Sequence, residues 1–269
     1  MTERLLVLED GPYRLVLDAN LGGHLVEFSI NGRNALAVGK PEVGSTFWPS
    51  PQAAWGWPPP QVLDKGPYSV DSLDNGIHVS SPICPQTHLR LWKHFQLVGG
   101  YATATYVMRN CGDKPVRYAP WEITRIGGGM TFYETNQTAL PHSTGQMVYS
   151  RGVAWHCYQP HQQTQHEKVF GNGSRGWLAN HYQGLLLVKQ FDPVPLDLVA
   201  PGEAEVEIYA HGDIDNAYIE IEQQGAYQPM PPGGDIRWRV LWHLRAWDGD
   251  ASIGSETLLC AVRQTLTTS

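Results

Sequence analysis

The chain has 269 residues, 42% of them hydrophobic and 17% charged, and a net charge of −7. It is long and apolar enough to bury a sizeable core, expected as a single domain over residues 1–269. Its charge balance excludes nucleic acid as the main partner, because phosphate binding needs clustered Lys and Arg and no basic run occurs.

At the N-terminus, "MTERLLVLEDG" brings acids in too early for a secretory leader. No stretch approaches the roughly eighteen apolar residues of a membrane span, so a cytoplasmic location is expected. Period-2 alternation then predicts strands over "YRLVLDA" (13–19), "GHLVEFSING" (23–32) and "NALAVG" (34–39), with Asn31-Gly32 as a hairpin turn.

The next stretch, "FWPSPQAAWGWPPP" (47–60), holds three tryptophans, five prolines and no charge. Proline removes backbone donors and fixes φ, which argues against a core strand. A disordered linker does not concentrate Trp48, Trp55 and Trp57. The segment reads as a stiff tryptophan-lined loop, either a stacking platform for a ligand or a cap on one end of the core.

"YSVDSLDNGIHVSSPI" (68–83) reads strand, turn, strand, and 89–126 reads as a hairpin followed by a further strand, with turns at Gly99-Gly100 and Gly112-Asp113. Residues 134–176 are rich in Gln, His, Gly and Ser and read as long loops. Strands follow at 184–192, 204–212, 217–225 and 235–247. Only 255–266 has helical spacing, with Ser255 as N-cap and Leu258, Leu259, Val262 and Leu266 as its apolar stripe. Roughly a dozen strands and one late helix give an all-β sandwich or barrel.

Strand parity selects the candidate site residues. In "YIEIE", Ile219 and Ile221 take one face and Tyr218, Glu220 and Glu222 the other. Two carboxylates held side by side make a general acid or base, since close like charges raise one pKa; a solvated sheet face is the plainer reading. "AEVEIYAHG" repeats the arrangement with Glu205, Glu207, Tyr209 and His211. In "PVRYAPWEITRIGGG" (115–129), Arg117, Ala119, Trp121, Ile123 and Arg125 share a face opposite Tyr118, Glu122 and Thr124. Trp121 beside Arg125 suits a sugar, ring against ring and guanidinium against hydroxyl or carboxylate; an Arg–Glu brace is the alternative. Lys189 interrupts the apolar row of "LLLVKQF", either as a snorkelling surface lysine or as a ligand-facing cation.

Other chemistries lack their signatures. Cysteines 84, 111, 157 and 260 form no CxxC pair, so reduced thiols are expected. His156, His161 and His166 are spaced by five with no diagnostic acidic ligand, and no metal is expected. There is no G-x-S-x-G elbow, P-loop or GxGxxG, so neither a serine nucleophile nor a nucleotide cofactor is expected.

"LDANLGGHLVEFSINGRNAL" resembles the first hairpins of aldose 1-epimerases, "PVRYAPWEITRI" aligns with the strand that carries their "NHxYFNL" motif, and "YIEIEQQ…PPGGDIRWRVLWHL" resembles their late "LExQ…PGE" segment. The combination of "FWPSPQAAWGWPPP", "APWEITRI", "LLLVKQF", "VEIYAHG" and "YIEIE" resembles the DUF4380 family of bacterial proteins, a branch of the galactose mutarotase-like superfamily, over roughly residues 10–247. The resemblance implies a β-supersandwich with a short C-terminal helix, whose concave face binds a small sugar or oligosaccharide. It further implies a glutamate general base, matched by Glu220 or Glu222, and a histidine general acid. Trp121 stands at the position of that histidine, and an indole transfers no proton. His243, or a loop histidine such as His142, is left to replace it. Three readings follow: an epimerase acting on an aldose, uronate or short glycan with a non-standard acid; a non-catalytic sugar-binding or sensing module; and a glycan lyase or hydrolase using Tyr133, Tyr209 or the Glu220/Glu222 pair.

Overall fold

The computed structural model describes residues 4–39, 42–160, 162 and 164–267. Two antiparallel ten-stranded sheets face one another. The first runs in the order Leu5–Asp10, Tyr13–Asp18, His24–Ile30, Ser45–Ser50, Val116–Ile126, Ile219–Gln224, Val206–Ala210, Glu167–Gly171, with Arg33–Asn34 and Gln228–Met230 as short additions. The second runs Val148–Ser150, Val153–Tyr158, Gly129–Glu134, Trp177–Tyr182, Leu185–Gln190, Asp235–Ala246, Tyr101–Asn110, Leu89–Val98, Ile77–Ser80, Ser69–Ser72. The expected all-β class therefore holds, with Glu256–Thr267 as the one long helix among the described residues. No helix there is long and apolar enough to cross a membrane.

The core fills the space between the sheets. Phe28 meets Trp242 edge-on across it at 5.9 Å, and Phe47 stacks on Tyr106 at 4.3 Å. Such aromatic pairs add to the area they bury. The C-terminal helix packs its apolar stripe inward, with Leu258, Leu259 and Val262 buried. Its N-terminus is capped as the sequence predicts: Ser255 Oγ accepts from the Leu258 amide at 3.3 Å.

Three expectations need correction. The predicted strand over 34–39 reduces to the pair Arg33–Asn34. The region 134–176 is more regular than its composition suggests, since Val148–Ser150, Val153–Tyr158 and Glu167–Gly171 are strands within it. The tryptophan segment is not wholly loop: Ser45–Ser50 is an interior strand of the first sheet, proline and all. Pro49 lies directly opposite Pro120 on the neighbouring strand. Opposed antiparallel residues exchange either two hydrogen bonds or none, and two prolines fit the second case. Pro49 then turns its missing donor toward His24–Ile30, a strand that meets Ser45–Ser50 only at Leu25 and Ser45. The ladder loses nothing there.

Candidate functional site

The site candidate is the face of the first sheet that turns away from the inter-sheet core. Ile219 and Ile221 are fully buried in the core, which throws Glu220 and Glu222 onto the other face. The register sets their neighbours. Arg125 lies opposite Glu220, Ile123 opposite Glu222, and Trp121 opposite Gln224. On the far side of Glu222 stands Glu207, and beside Glu220 stands Tyr209. Lys168 comes from the edge strand, opposite Tyr209.

Tryptophans build one wall. Trp48 lies opposite Trp121 and meets it edge-on at 5.4 Å. Trp55 and Trp57 each meet Trp48 edge-on, at 6.1 and 6.2 Å. Trp48, Trp55, Trp121 and Ile123 form a small apolar cluster separate from the main core. Trp55 is fixed by its Nε1 donating to the Pro49 carbonyl at 2.6 Å, whereas Trp57 is 68% exposed. Trp48 Nε1 donates to Asp64 Oδ1 at 2.8 Å, where Thr46 also donates and His24 lies at 3.4 Å. Burial alone would raise the Asp64 carboxyl; His24, Trp48 and Arg125 overcome it and hold it well below the usual range.

Charged groups occupy the centre. Arg125 Nε donates to Glu220 Oε1 at 2.8 Å, its Nη2 lies 3.2 Å from Glu42, and its guanidinium sits 5.9 Å from the Trp48 ring. Lys168 Nζ is 2.7 Å from Glu207 Oε2, 3.5 Å from Glu222 and 5.0 Å from the Trp121 ring. Burial disfavours its charge, but Glu222 and Glu207 outweigh that and raise its pKa. Burial pushes the Glu222 carboxyl up to about 7 against the pull of Lys168, with Glu220 adding to the rise.

Among the buried polar atoms here without a hydrogen-bond partner are Trp121 Nε1, Arg125 Nη1, Glu207 Oε2 and Glu222 Oε1, the two carboxylate oxygens facing Lys168. Two are donors and two are acceptors, a set that hydroxyl groups satisfy because each both donates and accepts. A pocket of about 260 Å³, lined by Ala37, Glu42, Asp215, Asn216 and Tyr218, adjoins this face through Glu42, the ion-pair partner of Arg125.

Of the residues singled out in the sequence, the structure brings together Glu220, Glu222, Trp48, Trp55, Trp57, Trp121 and Arg125. It does not bring Lys189 or His243 to this face. Lys189 points between the sheets, fully buried, with Nζ 2.5 Å from Glu122 Oε1 and 3.9 Å from the Trp242 ring. It neither snorkels nor faces a ligand, because its whole row lines the core. His243 belongs to the second sheet, beside Tyr101 at 5.6 Å and on a different pocket of about 330 Å³. Burial pushes its imidazole down to about 4. His142 is exposed beside Phe170 at 4.3 Å, Tyr133 is buried in the core, and Tyr209 shares a 2.9 Å hydrogen bond with His166 Nδ1. His156 is buried in the second sheet and His161 lies outside the described residues. Among the described residues, no three His, Cys, Asp or Glu side chains gather as a metal site.

Two site members escaped selection. Glu207 carried the right parity but looked like any surface glutamate. Lys168 gave no signal, since its strand is a five-residue edge inside a polar region.

The family model described as "Domain of unknown function (DUF4380)" matches residues 48–245. No curated protein matches the chain. Among solved structures, a galactose mutarotase-like protein from Lactobacillus casei ATCC 334 is similar with a TM-score of 0.64 at 10% identity, covering 90% of this chain and 100% of that one. A galactose mutarotase related enzyme from Lactobacillus acidophilus gives 0.61 at 6% identity, covering 93% and 100%. A TPR-domain containing protein from Parabacteroides distasonis ATCC 8503 gives 0.66 at 14%, covering 94% of this chain and 48% of that one. At these identities the likeness shows a shared fold, the galactose mutarotase-like sandwich.

Proposed function

This chain belongs to the DUF4380 family, and from that membership, its fold and the chemistry of one sheet face we propose that it binds a sugar there and exchanges its anomers. The ligand class is an aldose, a uronate or a short glycan. The observation that carries the reading is the set of buried polar atoms without a hydrogen-bond partner, Trp121 Nε1, Arg125 Nη1, Glu207 Oε2 and Glu222 Oε1. A buried polar group without a hydrogen-bond partner costs about 1–3 kcal/mol, and these four share one face with a row of tryptophans. Indole rings take the C–H faces of a pyranose while the polar atoms take its hydroxyls. A carboxylate of the strand Ile219–Gln224 serves as general base at the anomeric centre.

One observation favours a second reading. By the sequence resemblance, Trp121 stands where aldose 1-epimerases carry their histidine acid, which supports a module that binds without catalysis. Saturation-transfer NMR against D-galactose, D-glucose and D-galacturonate, with anomer exchange followed in the same samples, separates the two. Binding with accelerated exchange is the expected result. Binding without acceleration selects the module, and no binding by any of the three overturns the sugar site.

A further inference from the structure

Opening a hemiacetal ring takes one group that accepts a proton and one that donates it. The environments of the three glutamates on this face differ enough to separate those roles. Glu207 has two hydrogen-bond donors on one oxygen and the nearer approach of Lys168 on the other. Its Oε1 accepts from the Ala204 amide at 3.0 Å and from Gln224 Nε2 at 2.7 Å, and its Oε2 lies 2.7 Å from Lys168 Nζ. Glu222 stands directly opposite in the register, fully buried. It has only Lys168 at 3.5 Å, a cation that sits closer to Glu207. Glu220 lies at the rim, ion-paired through Oε1 to Arg125.

We propose that the single strand Ile219–Gln224 supplies both proton-handling groups: Glu222 is the general acid and Glu220 the general base, while Glu207 and Lys168 are positioning residues, Glu207 leaving the proton to Glu222 and Lys168 setting the pH at which it is lost. The assignment rests on the reading of this face as a sugar site. Two neighbouring buried carboxyls share one proton rather than ionise together. Burial raises both, and two hydrogen bonds on Glu207 Oε1, with Lys168 nearer to it than to Glu222, favour Glu207 as the ionised partner and leave the shared proton to Glu222. Alternate residues of a strand stand about 6–7 Å apart, which spans a pyranose O1 and O5 once the side chains lean inward.

In the forward step Glu220 takes the proton of the anomeric hydroxyl. The C1–O5 bond breaks with its electron pair going to O5, C1=O1 forms, and O5 receives the proton of Glu222. After rotation about C1–C2, the reverse transfers close the ring on the other face and restore both carboxyl groups. Nothing is oxidised or reduced, and no co-reactant is needed.

The test compares wild type, Glu222→Gln and Lys168→Met with D-galactose, D-glucose and D-galacturonate, measuring binding by saturation transfer and anomer exchange across neutral pH. Glu222→Gln mimics the protonated acid in shape, so the protein is expected to stay folded and to bind, while exchange falls about 100-fold or more. Wild-type exchange is expected to decline as pH rises through about 7, where Glu222 gives up its proton. Lys168→Met removes the cation that favours the ionised form, so that decline moves to higher pH. Exchange that survives in Glu222→Gln, or a decline that stays in place in Lys168→Met, overturns the assignment. Wild-type binding without exchange overturns the assignment and leaves the sugar site standing. No binding by any of the three sugars overturns both.

Discussion

Trp121 is fully buried, yet its indole N–H meets no acceptor. That is an expensive arrangement for a side chain whose only task is packing, because Phe would fill much of the same space without stranding a donor. Trp121→Phe keeps an aromatic ring beside Trp48 and deletes the N–H. If the indole donates to a ligand hydroxyl, sugar affinity falls about 2- to 10-fold, the size of one neutral hydrogen bond, as a saturation-transfer or calorimetric titration would show. At this scale parity made much of the face legible. Trp121, Arg125, Glu220 and Glu222 fall where alternation put them, and the core-facing isoleucines guarantee it. Lys189 shows the limit. Alternation placed it in an apolar row, but not on which side of the sheet that row lies, and its partner Glu122 is 67 residues away in sequence. Period-2 reasoning assigns faces within a strand and says nothing about which sheet stands opposite.

The elements that eluded the sequence are those whose local chemistry opposes their structure. The strand Ser45–Ser50 carries a proline, and only the register that pairs Pro49 with Pro120 removes the penalty. The strand Glu167–Gly171 is short and sits at a sheet edge, next to a polar stretch that reads as loop. The terminal helix is the opposite case, since a local cap and a local apolar stripe both point the same way. Its cap gives an element-scale prediction. Ser255 Oγ satisfies the Leu258 amide, and Ser255→Ala leaves that buried donor without its cap. The substitution is expected to cost about 1 kcal/mol, read from the guanidinium unfolding midpoint. The site face should be untouched, because the helix packs against the strand Leu185–Gln190 of the other sheet.

Across the whole molecule, one buried polar network ties the two sheets together. Glu122 reaches out of the first sheet and accepts from Lys189, Tyr106 and Trp242 of the second, at 2.5, 2.5 and 3.3 Å, with Gln223 of its own sheet also donating. Thr124 adds a further bond to Lys189. Every listener in this network is buried, so none of its charge is screened by solvent. A buried ion pair adds little net stability over apolar residues of the same shape, but breaking it from one side strands a charge. Lys189→Met should therefore destabilise by about 3–5 kcal/mol, since Glu122 keeps a charge with no counter-ion. Adding Glu122→Gln removes that charge while its amide carbonyl still accepts from Tyr106 or Trp242. The double variant is then expected to be more stable than Lys189→Met alone, with a coupling of about 0.5–3 kcal/mol between the sites, measured by a double-mutant cycle in urea. Additive costs would mean that the pair stabilises through packing alone. A positive coupling would show that the two sheets are held in mutual position by charge as well as by the aromatic core, and that the strand Val116–Ile126 is fixed on one face by Glu122 while its other face presents Trp121 and Arg125.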